Sequence, residues 1–113
     1  MVIFSQGLAA GENFARETAR LTSLVTDMER ILAGTLPETI VTEAPPVLDR
    51  WVLGSRVVPC LVGLSTGHPE LAGRDRMITT SDVWLMSDNM AWARTASRWY
   101  RLFRPREHFG LDA

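Results

Sequence analysis

Along residues 12–33 the apolar positions recur every third or fourth residue: Phe14, Leu21, Leu24, Val25, Met28, Ile31 and Leu32. That period places them on one stripe of an amphipathic α-helix. Glu12 and Arg16 stand one turn apart with opposite signs, a spacing that supports a helix surface. Gly34 follows as a C-terminal stop, and Pro37 bars the helix from resuming. Past residue 56 the texture changes to that of strands. Residues 57–64 are apolar on both faces, as in a central strand, although Pro59 demands an edge or starting position there. Residues 77–86 are rich in β-branched and aromatic types, and Ser87, Asp88 and Asn89 form a turn signal. Residues 91–103 then read as the return strand of a hairpin. The same stretch also fits a helix, because Trp92, Ala96, Trp99 and Phe103 fall at helical spacing and Ser87 is a suitable N-cap. Periodicity leaves both open.

At 113 residues the chain fits one domain. Residues 1–10 read as a flexible N-terminus, 11–34 as the helix with its caps, and 35–47 as a connector containing Pro45 and Pro46. Residues 48–104 form the β-rich part and 105–113 a C-terminal tail. Turn-forming residues at 65–69 and 72–75 divide the β-rich part further. The expected fold is α+β: a long N-terminal amphipathic helix packed on a small antiparallel sheet of three to four strands.

Short motifs in the second half tip the balance toward strands. Leu48 and Trp51, then Cys60-Leu61-Val62-Gly63 and Gly67-His68-Pro69, are followed by Thr80-Ser81, Trp92-Ala93-Arg94-Thr95 and Ser97-Arg98-Trp99-Tyr100-Arg101-Leu102. Together they resemble a family of small, largely proteobacterial proteins classed as a domain of unknown function. The resemblance covers about half the chain and excludes the N-terminal helix. It implies a hairpin texture for the last motifs and no transferable activity. Phe103 stands where the family usually has glycine.

Charge adds a second pattern. All 12 basic residues are arginine, against 13 acids, for a net charge of −1. Between Asn89 and Arg106 there is no acid, and Arg94, Arg98, Arg101, Arg104 and Arg106 give a local charge of +5. Interleaved with Trp92, Trp99, Tyr100 and Phe103, these arginines offer ion pairing, cation–π contact and stacking in one segment. Trp, Tyr and Arg are also the types most enriched at protein–protein hot spots.

Candidates for chemistry are sparse. The single cysteine, Cys60, sits in an apolar run where a thiol is expected to be a small buried hydrophobe. His68 is eight positions away in a loop and is a weak partner for it as a base, while remaining a candidate loop site. Cys60, His68 and His108 lack the spacing of a metal site. There is no glycine-rich phosphate loop. No cofactor is expected, and neither is an enzyme. The longest apolar run falls well short of the roughly 20 residues of a membrane span, and no secretory signal is evident. The sequence therefore predicts a cytoplasmic, non-enzymatic binding or regulatory protein with no membrane partner. Its surface is Arg94, Arg98, Trp99, Tyr100, Arg101 and Arg104, and its partner a protein or nucleic acid with an acidic surface. A phage-type inhibitor of a bacterial defence nuclease, of the anti-CRISPR kind, is one such case. A homodimer through a seam of Leu21, Leu24, Met28 and Ile31 is the structural alternative.

Overall fold

The computed structural model describes residues 1–9 and 11–106. It divides into two compact units, one of residues 1–9 and 56–106, the other of residues 11–55. The class is α+β, as the pattern predicts.

In the second unit, helix α1 spans Glu12–Leu32. Its C-terminus is closed by a Schellman arrangement: the Gly34 N–H donates to the Ile31 carbonyl at 2.9 Å and the Thr35 N–H to the Arg30 carbonyl at 2.9 Å. That geometry needs a left-handed residue, and Gly34 supplies it with φ 89°. Pro37 does more than stop the helix. It opens a one-turn helix α2, Pro37–Ile40, occupying the first-turn position where a missing N–H costs nothing. On α1, Thr18, Thr22 and Thr26 each donate a hydroxyl hydrogen bond to the carbonyl four residues earlier. The ion pair on α1 among the described residues is Glu17–Arg20 at 2.7 Å, not the expected Glu12–Arg16.

The first unit holds all the strands among the described residues: β1 Val2–Phe4, β2 Val62–Ser65, β3 Arg76–Thr79, β4 Val83–Ser87, β5 Trp92–Thr95 and β6 Trp99–Arg101. Four of them form a sheet in the order β1-β4-β5-β6, and β2 pairs with β3 in a separate two-stranded ribbon. The larger sheet is mixed rather than antiparallel, because β1 runs parallel to β4 with Val2 opposite Leu85 and Phe4 opposite Ser87. Residues 1–10, expected to be a flexible terminus, thus contribute a strand whose β-branched and aromatic residues suit a sheet.

The expected strand at 77–86 is two strands with a break at Thr80–Asp82. Before the break it pairs with β2; after it, with β1 and β5. Backbone bonds bridge the corner, from the Thr80 N–H to the Leu61 carbonyl at 2.8 Å and from the Val83 N–H to the Pro59 carbonyl at 2.9 Å. Strands that bend to change partner in this way make the corners of small β structures. Residues 57–61, expected to start a central strand, lie outside β2, which begins at Val62. Pro59, lacking an N–H, serves only as an acceptor there.

The larger sheet is tied together by two hydroxyls. Ser87, fully buried, accepts hydrogen bonds from the Ala91 N–H at 3.1 Å and the Trp92 N–H at 3.0 Å, and donates to Asn89 Oδ1 at 2.7 Å. Within the four-residue loop 88–91, the Met90 N–H donates to the Ser87 carbonyl at 2.9 Å and Met90 itself takes φ 57°. Thr95, also buried, does the same for the next turn: its Oγ1 accepts from the Ser97 N–H at 3.2 Å and the Arg98 N–H at 3.1 Å. Val83 and Ala93 are the buried apolar residues beside them.

Candidate functional site

The segment at 91–103 is neither one strand nor a helix but a hairpin in itself. Thr95 and Arg98 bracket a two-residue turn, with the Thr95 N–H on the Arg98 carbonyl at 2.9 Å. In one continuous strand Trp92, Arg94 and Arg98 would share a face, with Trp99 and Arg101 opposite. The turn changes that parity. Trp92 pairs with Arg101, Ala93 with Tyr100 and Arg94 with Trp99. One face of β5 and β6 therefore carries Trp92, Arg94, Trp99 and Arg101. The other carries Ala93, Thr95, Arg98 and Tyr100.

On the first face the aromatic rings meet edge to face. Trp99 lies 6.1 Å from Phe4 at an interplanar angle of 82°, and 6.4 Å from Trp92 at 88°. Such arrangements set the positive edge of one ring against the negative face of another. Phe4 arrives from β1, paired with Ser87, whose small side chain leaves space above it. Phe4, Gln6, Trp92 and Trp99 line a shallow, open and almost wholly apolar groove of about 450 Å³. The indoles remain accessible, Trp92 at 38% and Trp99 at 50% exposure. The Arg101 guanidinium carbon lies 5.9 Å from the Trp92 ring centre, close enough for a cation–π contact. Among the described residues neither Arg94 nor Arg101 has a carboxylate partner.

The second face is closed by a loop. His68 sits 6.2 Å from Tyr100, and its Nδ1 accepts from the Glu70 N–H at 3.1 Å and the Leu71 N–H at 3.2 Å. Glu70 in turn reaches Arg98 at 3.5 Å. The Arg98 Nε is buried and without a hydrogen-bond partner. His68 thus organises its own loop against Tyr100. Ser81 and Ser97 join the two turns through their hydroxyls at 2.9 Å. Arg104, past the end of β6, stacks on Phe103 at 5.2 Å.

Of the residues the sequence nominates, the structure brings Arg94, Trp99 and Arg101 together and sends Arg98 and Tyr100 to the other side. Arg104 belongs to neither face. Phe4 and Gln6 are the residues that sequence reasoning misses; the apolar run at Val2–Phe4 is the signal, but its partner strand is remote in sequence. Cys60, expected to be buried, is exposed, because it lies outside the strands. Among the described residues no three His, Cys, Asp or Glu side chains gather as a metal site; His108 and the tail at 107–113 lie outside the described residues. No helix is long and apolar enough to cross a membrane among the described residues. On α1, Leu21 is half-buried, whereas Leu24, Met28 and Ile31 are about half exposed. Comparison of the chain with protein-family models, curated proteins and solved structures finds no match.

Proposed function

We propose that this chain is a small non-enzymatic binding protein acting through the arginine–aromatic face of β5 and β6, on a partner with an acidic surface. The observation that carries this reading is the placement of Arg94, Trp92, Trp99 and Arg101 on one side of the sheet, with both indoles exposed and neither guanidinium engaged by a carboxylate. Indole and guanidinium groups are the side chains that give most per residue when desolvated by a partner. The test is affinity capture from a bacterial lysate, with and without nuclease, using the natural chain and an Arg94→Glu/Arg101→Glu variant. A macromolecule retained by the first and lost by the second is expected. Equal retention by both removes this face from the function.

A second reading rests on α1. Leu24, Met28 and Ile31 stand at heptad-like spacing and are 50–55% exposed, which suits pairing of the helix with a second copy. Light scattering that reports a monomer at high micromolar concentration ends it.

A further inference from the structure

Resting on the proposed binding face, we infer that its ligand is single-stranded nucleic acid, with a base entering the groove of Phe4, Gln6, Trp92 and Trp99 and the flanking phosphates meeting Arg94 and Arg101. Two observations lead there. The first is ring geometry. Phe4 and Trp92 each stand nearly perpendicular to Trp99, at 82° and 88°. A flat ring laid on one indole therefore meets a neighbour edge-on, so stacking and edge-to-face contact are satisfied at once. An open groove of about 450 Å³ walled by these rings admits a planar heterocycle. A single strand offers a flat base to an indole at every nucleotide and a phosphate to a guanidinium beside it.

The second observation is charge. Residues 89–106 carry five arginines and no acid, and two of the arginines lie on the same face as the rings. The Arg101 guanidinium carbon lies 5.9 Å from the Trp92 ring centre, so a phosphate that meets it sits beside the rings. Asp88 is the acid nearest this face in the chain. Its carboxylate accepts from the Ser5 hydroxyl at 2.7 Å beside Phe4, which directs the phosphates toward the β6 side. Duplexes are disfavoured as ligands, because paired bases keep their faces inside the stack, whereas single strands offer them to aromatic side chains.

The experiment uses the full chain with labelled single strands of DNA and RNA of about 12 nucleotides, a length within reach of one small binding face, and the matching duplex. Anisotropy gives Kd, and tryptophan emission reports stacking. Expected are single-strand binding at least tenfold tighter than duplex binding, quenched emission, and affinity that falls steeply between about 50 and 200 mM salt. Trp99→Ala should weaken single-strand binding by about 5- to 150-fold, Trp99→Phe should recover most of it, and Trp51→Ala, in the other unit, should change nothing. Should Trp99→Ala fail to fold by circular dichroism, Trp99→Phe and Arg101→Gln carry the test through emission and salt dependence. Equal affinity for duplex and single strand, or unchanged affinity in folded Trp99→Ala, overturns the stacking site. Absence of nucleic-acid binding, with nuclease-resistant capture that still depends on Arg94 and Arg101, overturns this inference and leaves the binding face standing with a protein partner. Absence of both brings down the two together.

Discussion

The two faces of the β5–β6 hairpin are built from the same residue types and do opposite things. Each carries aromatic and arginine side chains. On one, Arg98 meets Glu70 and Tyr100 meets His68, so a loop of the same unit uses up both groups. On the other, Arg94 and Arg101 stand beside Trp92 and Trp99 with no carboxylate in reach. A segment with a charge of +5 is thus not one basic surface. The difference teaches that strand parity, more than charge density, decides which arginines are available to a partner.

That division depends on register, and register depends on the buried hydroxyls at the two turns. A slip of one residue would exchange the faces. The largest expected effect therefore comes from Ser87→Ala. It removes the acceptor of the Trp92 N–H and one acceptor of the Ala91 N–H at a position with no exposure. Leaving the Trp92 N–H unpaired costs about 1–3 kcal/mol. Urea unfolding followed by circular dichroism should show a midpoint lowered accordingly. A midpoint unchanged within error would mean that the turn holds its register without the hydroxyl, and that the contrast between faces has another origin.

The arginines sharpen the comparison directly. In single-strand binding titrated with salt, each phosphate contact contributes about 0.7 to the slope of log K against log salt. Arg94→Gln with Arg101→Gln should lower that slope by about 1.4, whereas Arg98→Gln should leave it within error. Equal losses from both variants would place all three guanidinium groups on one surface and contradict the parity argument. The Thr95 turn makes this outcome specific to the observed hairpin. In an unbroken strand Arg94 and Arg98 would move together, and Arg101 apart.

How much of this is legible in the sequence follows from which interactions are local. The end of α1 is readable because Gly34 is needed for the left-handed residue of a local motif. Ser87, Asp88 and Asn89 announce a turn for the same reason, although Ser87 satisfies a hairpin loop rather than capping a helix. The turn at Ala96–Ser97 is hidden. It has no glycine or asparagine; the Ala96 N–H goes to the Asp82 carbonyl, and the Ser97 and Arg98 N–H groups are met by Thr95, a residue equally common within strands. Missing that turn mis-sorts every side chain after it, which is why Arg98 is grouped in sequence with arginines it does not accompany. The groove is hidden for a different reason. Phe4 reaches it only through parallel pairing of β1 with β4, a contact between the two halves of the chain that no local pattern encodes.

The smallest effect expected is on the closed face, where Glu70→Gln removes the carboxylate from Arg98. Glu70 is 78% exposed on its side chain and the pair is long at 3.5 Å, so the loss should be below about 1 kcal/mol. The informative measurement is the binding side of the same variant. Freed from Glu70, Arg98 still projects from the face opposite Trp92 and Trp99, held there by the backbone bonds that Thr95 makes at the turn. Single-strand affinity and its salt slope should therefore stay unchanged in Glu70→Gln. A gain in affinity would show Arg98 reaching the ligand once released, and would make the ion pair a restraint on binding rather than a closure of the second face.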